Sequence, residues 1–277
     1  MANDAMKALH ARTVELEIEL SNAPLIEHLS ELRSRLIWVV LAFLICMVCV
    51  FPFSKYIFNF LAMPITELLS TQNESSDLIF TGLQQGFMVN VKISFFGGFI
   101  VSFPFIGFQF WRFIAPGLYK KERLAFLPFL IASPILFLIG AAFAYFVVLP
   151  LAFNFFLSFQ NTSDLNDLVG IKYLGTINEY LSLTMRFILA FGICFQLPVL
   201  LTLMGKAGLV SSQSLIRVRK YAIVTILVIA AIVTPPDVIT QVILFSVVYS
   251  LYEISILLVK LVEKKKEKVL QQMDENV

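Results

Sequence analysis

Long stretches without a charged residue dominate the pattern of hydrophobic and polar positions along the chain. Five of them contain no charge, and a sixth, which ends before Lys260, is broken only by Glu253. They run from Leu36 to Ser54, Ile93 to Trp111, Leu124 to Ser163, Phe187 to Gly205, Tyr221 to Pro236 and Val238 to Val259. A helix crosses a bilayer core with about 20 predominantly apolar residues. The pattern therefore predicts an all-α polytopic membrane protein with six transmembrane helices.

Composition agrees with this pattern and narrows the class of protein. Of 277 residues, 58% are hydrophobic and 14% are charged, and the mean hydropathy is +0.85, values far from those of soluble domains. Three cysteines lie in apolar stretches away from any Cys/His cluster, so we expect no disulfide framework and no zinc site. The sequence has no P-loop, no G-x-G-x-x-G and no H-E-x-x-H motif, and we expect no metal, no cofactor and no nucleic-acid partner. We predict one membrane domain over 1–277, with a polar cytoplasmic extension at 1–23, too polar for a cleavable signal peptide, and a charged cytoplasmic tail at 262–277.

The positions of the basic residues predict the orientation of the helices. The segments 1–36, 111–123, 204–220 and 260–277 carry 17 of the 21 Lys and Arg residues. Cytoplasmic segments are enriched in Lys and Arg. Both termini are therefore predicted to be cytoplasmic, and the third stretch, although 40 residues long, is predicted to cross only once.

The lengths of the stretches predict unequal helices. A single third helix from Leu124 to Ser158 would be about 50 Å long, so we expect it to bend, near Pro134 and Pro150. The fifth and sixth helices are expected to be short. The apolar part of the fifth, Tyr221 to Val233, measures only about 20 Å as helix, which predicts that its outer turn lies in a recess below the outer surface. The residues after Lys55 are predicted to form a short helix on the outer interface.

Four ionisable or polar groups in the predicted membrane spans or at their ends are candidates for function. Arg186 is interpreted as reaching the outer interface, and Asp237 as a cap of the sixth helix. Gln196 precedes Leu197-Pro198, and structural and functional roles remain equally open for it. Glu253 must be paired or hydrated at its depth. A path of Arg186, Gln196 and Glu253 would suit a secondary transporter or channel, which is the alternative function; an internal repeat that would support it is not apparent.

Cytoplasmic segments supply a second group of candidates. Apolar residues at 25, 29, 32 and 36 have helical spacing, and Glu31 and Arg35 are placed to form an ion pair on that helix. These segments belong to a set of five ordered motifs by which the chain closely resembles the TatC family, the multispanning receptor component of twin-arginine protein translocation. The motifs are H-L-x-E-L-R-x-R-L from His28, F-I-A-P-G-L-Y-x-x-E-R from Phe113, A-Y-F-V-V-L-P-L-A-F from Ala144, F-Q-L-P from Phe195 and T-P-P-D-x-x-x-Q from Thr234.

The resemblance implies a receptor and scaffold of the bacterial inner membrane, without enzymatic activity and driven by the proton-motive force. It matches Glu31 and Glu122 to an acidic cytoplasmic site for twin-arginine signal peptides of folded substrates, with Arg33 and Phe113 around it. It matches Pro64 to a family position in the first outer segment. Self-association in a receptor complex and TatA/TatB-type single-span partners are also implied. The matched partner-contact positions are Gln196, where the family often has glutamate, Thr234 and Gln241.

Overall fold

The computed structural model describes residues 29–71, 78–114, 127–159, 175–235 and 237–274, and nearly all of them are helical. The helices are α1 (29–50), α2 (Ser54–Thr71), α3 (Gln85–Ile114), α4 (Leu127–Phe143), α5 (Leu149–Leu157), α6 (Ile177–Cys194), α7 (Leu197–Lys206), α8 (Ser212–Val233) and α9 (Val238–Asp274). Five helical stretches are long and apolar enough to cross a membrane: Leu29–Thr71, Gln85–Phe110, Pro128–Leu157, Ile177–Lys206 and Val238–Lys268. The predicted fold class, an all-helical polytopic membrane protein, is confirmed.

The last two helices differ from the prediction that both are short. Helix α8 has 22 residues because it begins at Ser212, where the Ser211 hydroxyl accepts the N–H of Ser214. Its apolar part alone is short, and for this reason α8 is not among the five helical stretches given above. The predicted count of six membrane spans therefore stays a prediction. A short sixth helix is wrong, because α9 has 37 residues. The Lys, Glu, Gln and Leu residues after Lys260 favour helix and extend it well past its apolar part.

The predicted long third helix is confirmed, with an irregularity that the sequence did not reveal. Helices α4 and α5 are joined by a π-helical turn at Ala144–Val148, and Pro134 lies inside α4 without ending it. Pro150 follows the turn in the first positions of α5. Proline lacks an N–H and its ring crowds the carbonyl four residues earlier. A π turn, with its wider hydrogen-bond spacing, accommodates both constraints.

Helix α2 is held by two buried tyrosines. Pro64 lies inside this helix and has no N–H to donate to the carbonyl of Phe60, four residues before it. The Tyr145 hydroxyl donates to that carbonyl at 2.7 Å, and the rings of Tyr145 and Phe60 stack with their centroids 4.5 Å apart. The Tyr180 hydroxyl donates to the next carbonyl, that of Leu61. The helix predicted after Lys55 is confirmed, while its place on the outer interface stays a prediction. The proline explains where this helix is anchored.

Glycines mark the closest helix crossings. A Cβ added at Gly192 on α6 would lie 2.6 Å from the Phe137 ring on α4, and one added at Gly98 on α3 would lie 2.7 Å from Cα of Met47 on α1. Small residues at such positions allow helix backbones to approach closely in membranes. Phe137 is fully buried there and stacks on Phe103 at 3.8 Å. These contacts fix α1, α3, α4 and α6 relative to one another.

Segments predicted to share one side of the membrane meet in the structure. The outer segments predicted between the cytoplasmic ones, Lys55 to Gln85 and Gln160 to Asn178, are joined at Ile79. The Ile79 N–H donates to Gly175 O at 2.9 Å, and the Ile79 carbonyl accepts from the Ile177 N–H at 3.2 Å. On the predicted inner side, Glu263 accepts hydrogen bonds from the Ser212 N–H at 2.9 Å and from its hydroxyl at 2.5 Å. The arrangement agrees with the predicted alternation of sides, while the orientation relative to the cytoplasm stays a prediction.

Candidate functional site

The first turns of α1 carry the predicted acidic group. Arg35 donates to the Glu31 carboxylate one turn before it, so the predicted ion pair is confirmed. The Glu31 side chain is 37% exposed, whereas that of Arg35 is 14% exposed. Arg33 is exposed on another face of the helix. The Glu31 carboxylate thus already binds one guanidinium and remains reachable for a second.

Phe113, predicted to lie beside this group, is half-buried in the last turn of α3. Glu31 precedes the crossing residue Met47 by sixteen positions, and Phe113 follows Gly98, the other crossing residue, by fifteen. At 1.5 Å per residue these lengths are about 24 and 22 Å. The two residues therefore lie at matching distances from one helix crossing. Glu122, the second predicted acid, lies outside the described residues.

Gln196 is bonded to a neighbouring helix. It lies at the break between α6 and α7, two residues before Pro198. Its Oε1 accepts from the Ser133 hydroxyl at 2.6 Å, and its Nε2 donates to Ser133 O at 2.9 Å. Both ends of the amide therefore bind α4, which gives Gln196 a structural role.

The turn between α8 and α9 holds three predicted residues. Asp237 is confirmed as a cap: its carboxylate accepts from the Thr240 N–H at 2.7 Å and from the Thr240 hydroxyl at 2.6 Å. Thr234 is buried, and its hydroxyl donates to Ala230 O at 2.9 Å. Gln241, one turn after Asp237, is half-exposed. Of the two matched partner-contact positions here, only Gln241 presents a side chain to the surroundings.

Glu253 is paired. Arg219 Nη2 donates to Glu253 Oε2 at 2.8 Å, and Arg219 Nε lies 2.8 Å from Oε1. The Tyr252 hydroxyl, next in the chain, donates to Leu215 O at 2.8 Å. These contacts join α8 to α9 near their charged ends. Glu253 must be paired or hydrated at its depth, and Arg219 is its partner. In the sequence, Arg219 served only as one of the basic residues that predict the orientation of the helices.

The remaining predicted residues are separate from these groups. Arg186 is exposed on α6, as the interpretation of a side chain reaching the interface requires, and Pro64 is buried in α2. Within the described ranges, no three His, Cys, Asp or Glu residues lie together as a metal site needs. Arg186, Gln196 and Glu253 bind or face different neighbours, so they do not form the polar path of the transporter alternative within that part of the chain.

Sequence reasoning missed several residues that hold the predicted ones in place. Ser133 and Tyr145 lie in the third apolar stretch, and Tyr180 lies between Glu179 and Arg186. Tyr145 is also part of the motif from Ala144, but none of the three was singled out. Arg219 had a signal: it precedes Pro236 by 17 positions and Glu253 follows Pro236 by 17. Two antiparallel helices around a turn place such symmetric positions side by side.

Comparison with known proteins matches this arrangement over most of the chain. The family model of the Sec-independent protein translocase protein (TatC) matches residues 27–246. A protein of that name from Magnetococcus marinus is 46% identical over 253 residues, which are 91% of this chain and 89% of the relative. The one from Escherichia coli K12 is 38% identical over 84% of this chain and 86% of its own. A crystal structure of the twin-arginine translocase receptor TatC superposes with a TM-score of 0.73 at 44% identity, over 85% of this chain and 99% of that one.

Proposed function

This chain belongs to the TatC family and is therefore a multi-pass membrane subunit of the Sec-independent, twin-arginine protein translocase. We propose that Glu31 binds an arginine of the export signal of a folded substrate. The protein acts in this proposal by binding, without catalysis. The solved relatives are described as twin-arginine translocase receptors, which supports the assignment of a receptor role here.

The contact between Arg35 and Glu31 is the observation that carries the proposal. A guanidinium prefers a carboxylate partner, with charge-assisted hydrogen bonds. Glu31 makes such a contact within its own helix and keeps 37% of its side chain exposed. A signal arginine approaching from solvent can share or replace Arg35 on this carboxylate.

A second acid would let the site bind two arginines. Glu122 follows α3 by eight residues, and Phe113 near the end of α3 lies as far from the crossing with α1 as Glu31 does. On the predicted topology both helix ends reach the cytoplasmic face. We therefore assign the second signal arginine to Glu122, with Phe113 and Arg33 shaping the surface between the acids.

Binding of a signal peptide to the full-length protein in detergent tests the proposal. The peptide carries Arg-Arg, and the comparison peptide carries Lys-Lys. We expect the wild type to prefer Arg-Arg, and Glu31→Gln to weaken binding of that peptide about tenfold. A hydrogen bond to a charged group contributes about 1.5–3 kcal/mol, and about 1.4 kcal/mol corresponds to a factor of ten.

The matched control is Glu67→Gln, which removes an exposed helical glutamate on α2 and should leave binding unchanged. Equal affinity for the two peptides would contradict the receptor assignment. An Arg-Arg preference that persists in Glu31→Gln and in the double variant with Glu122→Gln would leave the receptor role intact and contradict the assigned site.

Single-span partner helices of the TatA/TatB type form the second part of the proposal. The half-exposed Gln241 beside the capped turn of α8 and α9 is the residue we assign to contact with them. Thr234 is buried and supports the turn from inside, and Gln196 is hydrogen bonded to Ser133. In the proposal these two residues therefore position the surface that a partner helix contacts and do not bind the partner themselves. Self-association of the receptor complex and location in the inner membrane with both termini cytoplasmic complete the proposed picture.

A further inference from the structure

An apolar cavity of about 350 Å³ lies between α1, α2, α3 and α4. Its α3 wall extends from Phe96 to Val101, and the facing wall extends from Leu138 on α4 to Phe146 in the π-helical turn. Among the described residues that line it, the one polar side chain is that of Tyr145, whose hydroxyl already donates to a backbone carbonyl of α2. Water occupies a cavity only where it finds polar partners. The cavity therefore suits hydrocarbon.

Two aromatic stacks lie at the ends of the cavity. At one end, the Tyr145 ring stacks on Phe60 with the centroids 4.5 Å apart. At the other end, Leu138 directly follows Phe137, whose ring stacks on Phe103 with the centroids 3.8 Å apart. From Phe137 to Tyr145 is eight residues, about 12 Å of helix. One leaflet is half of a bilayer core of about 30 Å, so the cavity is short enough to lie within one leaflet.

The α3 wall indicates which leaflet this is. Lys92 directly precedes the charge-free stretch that starts at Ile93, and on the predicted topology it lies at the outer boundary of the hydrocarbon. Phe96 follows Lys92 by four residues and Val101 follows it by nine. At 1.5 Å per residue the wall therefore lies about 6–14 Å inside that boundary. Since one leaflet is about 15 Å deep, the whole wall is in the outer leaflet.

The cavity is open on one side and closed on another. The lining side chains of Val101, Leu138 and Phe146 are more than half exposed, so the gap between α3 and α4 faces the surroundings. Between α3 and α1 the cavity is closed, because a Cβ added at Gly97 would lie 2.8 Å from Val50 Cγ1. An occupant therefore enters sideways, from the bilayer.

The volume of the cavity decides between possible occupants. An apolar cavity of about 150 Å³ binds one benzene ring, so about 350 Å³ holds slightly more than two such rings, or about 14 carbon atoms. A helix is about 10–12 Å wide, and less than one of its turns would fill this volume. We propose that the cavity binds one acyl chain of a phospholipid of the outer leaflet. The π-helical turn supports a binding role for this wall, because such turns are frequent at functional sites.

The site recognises the chain and not the charge of the headgroup. Among the described residues beyond the outer end of the cavity, Ser54 donates through its hydroxyl to Asn90 Oδ1 at 3.1 Å, and both side chains are neutral. Lys55 lies two residues before Ile57, which lines the cavity, and is therefore on the opposite face of α2. Phosphatidylglycerol and phosphatidylcholine with the same chains should bind equally.

Lipid retention by the purified full-length protein tests the proposal. Native mass spectrometry counts the bound molecules after incubation with phosphatidylglycerol or phosphatidylcholine that carries hexadecanoyl chains, and with phosphatidylcholine that carries hexanoyl chains. We expect one retained lipid per protein, equal retention of the two long-chain lipids and at least tenfold weaker retention of the short-chain lipid. Equal retention of long and short chains would overturn the acyl-chain site. A tenfold preference for one headgroup would overturn recognition through the chain.

Two substitutions fill the cavity from opposite walls. Ala142 lines the cavity and is exposed, so the larger side chain of Ala142→Phe occupies the space of the acyl chain without displacing a helix. Val101→Phe does the same from α3. We expect each variant to lower retention of the long-chain lipids about tenfold. The matched control is Ala231→Phe, at an exposed alanine of α8 outside the cavity, which should retain the lipid. Unchanged retention in either filling variant, shown to be monodisperse by size-exclusion chromatography, would overturn the site.

Photo-crosslinking identifies the occupant in membranes. A photoreactive amino acid replaces Phe146, which lines the cavity and is exposed, and a crosslink to lipid is expected. Adding Val101→Phe should reduce this crosslink about tenfold, because a lipid that merely surrounds the protein does not depend on the space inside the cavity. A crosslink to a protein helix in place of lipid, or a lipid crosslink that the filled cavity leaves unchanged, would overturn the proposal.

Discussion

Replacing the Arg219–Glu253 pair tests whether α8 and α9 depend on a charge contact. The perturbation is a double-mutant cycle of Arg219→Gln, Glu253→Gln and the two together. Arg219 meets Glu253 through two contacts of 2.8 Å. Removing one partner leaves a single charge in partly desolvated surroundings, whereas removing both leaves two neutral amides. The two single substitutions should therefore lower the free energy of unfolding by more, in sum, than the double substitution does.

The size of the effect follows from the geometry. Two unit charges about 4 Å apart attract by about 4 kcal/mol at an effective dielectric constant of about 20. The Arg219 and Glu253 side chains are 40% and 33% exposed, and solvent screening reduces the attraction at such exposure. We expect a coupling energy of about 2 kcal/mol, within the range of about 0.5–3 kcal/mol for contacting residues.

Thermal unfolding of the purified protein in detergent is the assay. A loss of about 2 kcal/mol lowers Tm by roughly 5 °C in a chain of this size. The control Arg217→Gln removes an exposed arginine from another face of α8 and should leave Tm unchanged. Additive effects of the two single substitutions would refute the reasoning, because independent charges give no coupling.

Two further predictions concern helix α2 and the turn between α8 and α9. Tyr145→Phe keeps the ring stacked on Phe60 but leaves the Phe60 carbonyl without its donor, so the free energy of unfolding should fall by about 1–3 kcal/mol. Tyr221→Phe, at an exposed position, is the control. Equal Tm values for the two variants would contradict the anchoring role of Tyr145. Gln241→Leu should lower co-purification of a TatB-type partner while leaving signal-peptide binding intact; unchanged partner recovery would remove Gln241 from the contact surface.

The elements that the sequence predicted well are those whose signal is local. Apolar stretches predicted the helical membrane fold, and the Pro-Pro-Asp sequence at the start of α9 predicted Asp237 as its cap. The extent of α9 was missed because hydropathy reports the part that suits lipid, while the charged residues beyond Lys260 are equally able to continue a helix.

Partner identities required the tertiary structure. Gln196 was recognised as a polar group at a helix break, but its partner Ser133 is one of many serines in apolar stretches, and 63 positions separate the two residues. Glu253 was recognised as costly, but its partner Arg219 was not recognised, although both residues lie 17 positions from Pro236. In the first turns of α1, the local pair of Glu31 and Arg35 was predictable from its spacing.

The π-helical turn at Ala144–Val148 sets a constraint on insertions and deletions in this part of the chain. One residue more or less in a helix rotates everything beyond it by about 100°. Leu149, Ala152 and Phe153 are buried in the present register. Deleting one residue from the turn would restore regular α-helix and swing this face away from its neighbours. A single-residue gap here in a distant relative would therefore signal a repacked core, in contrast to a gap in a surface loop.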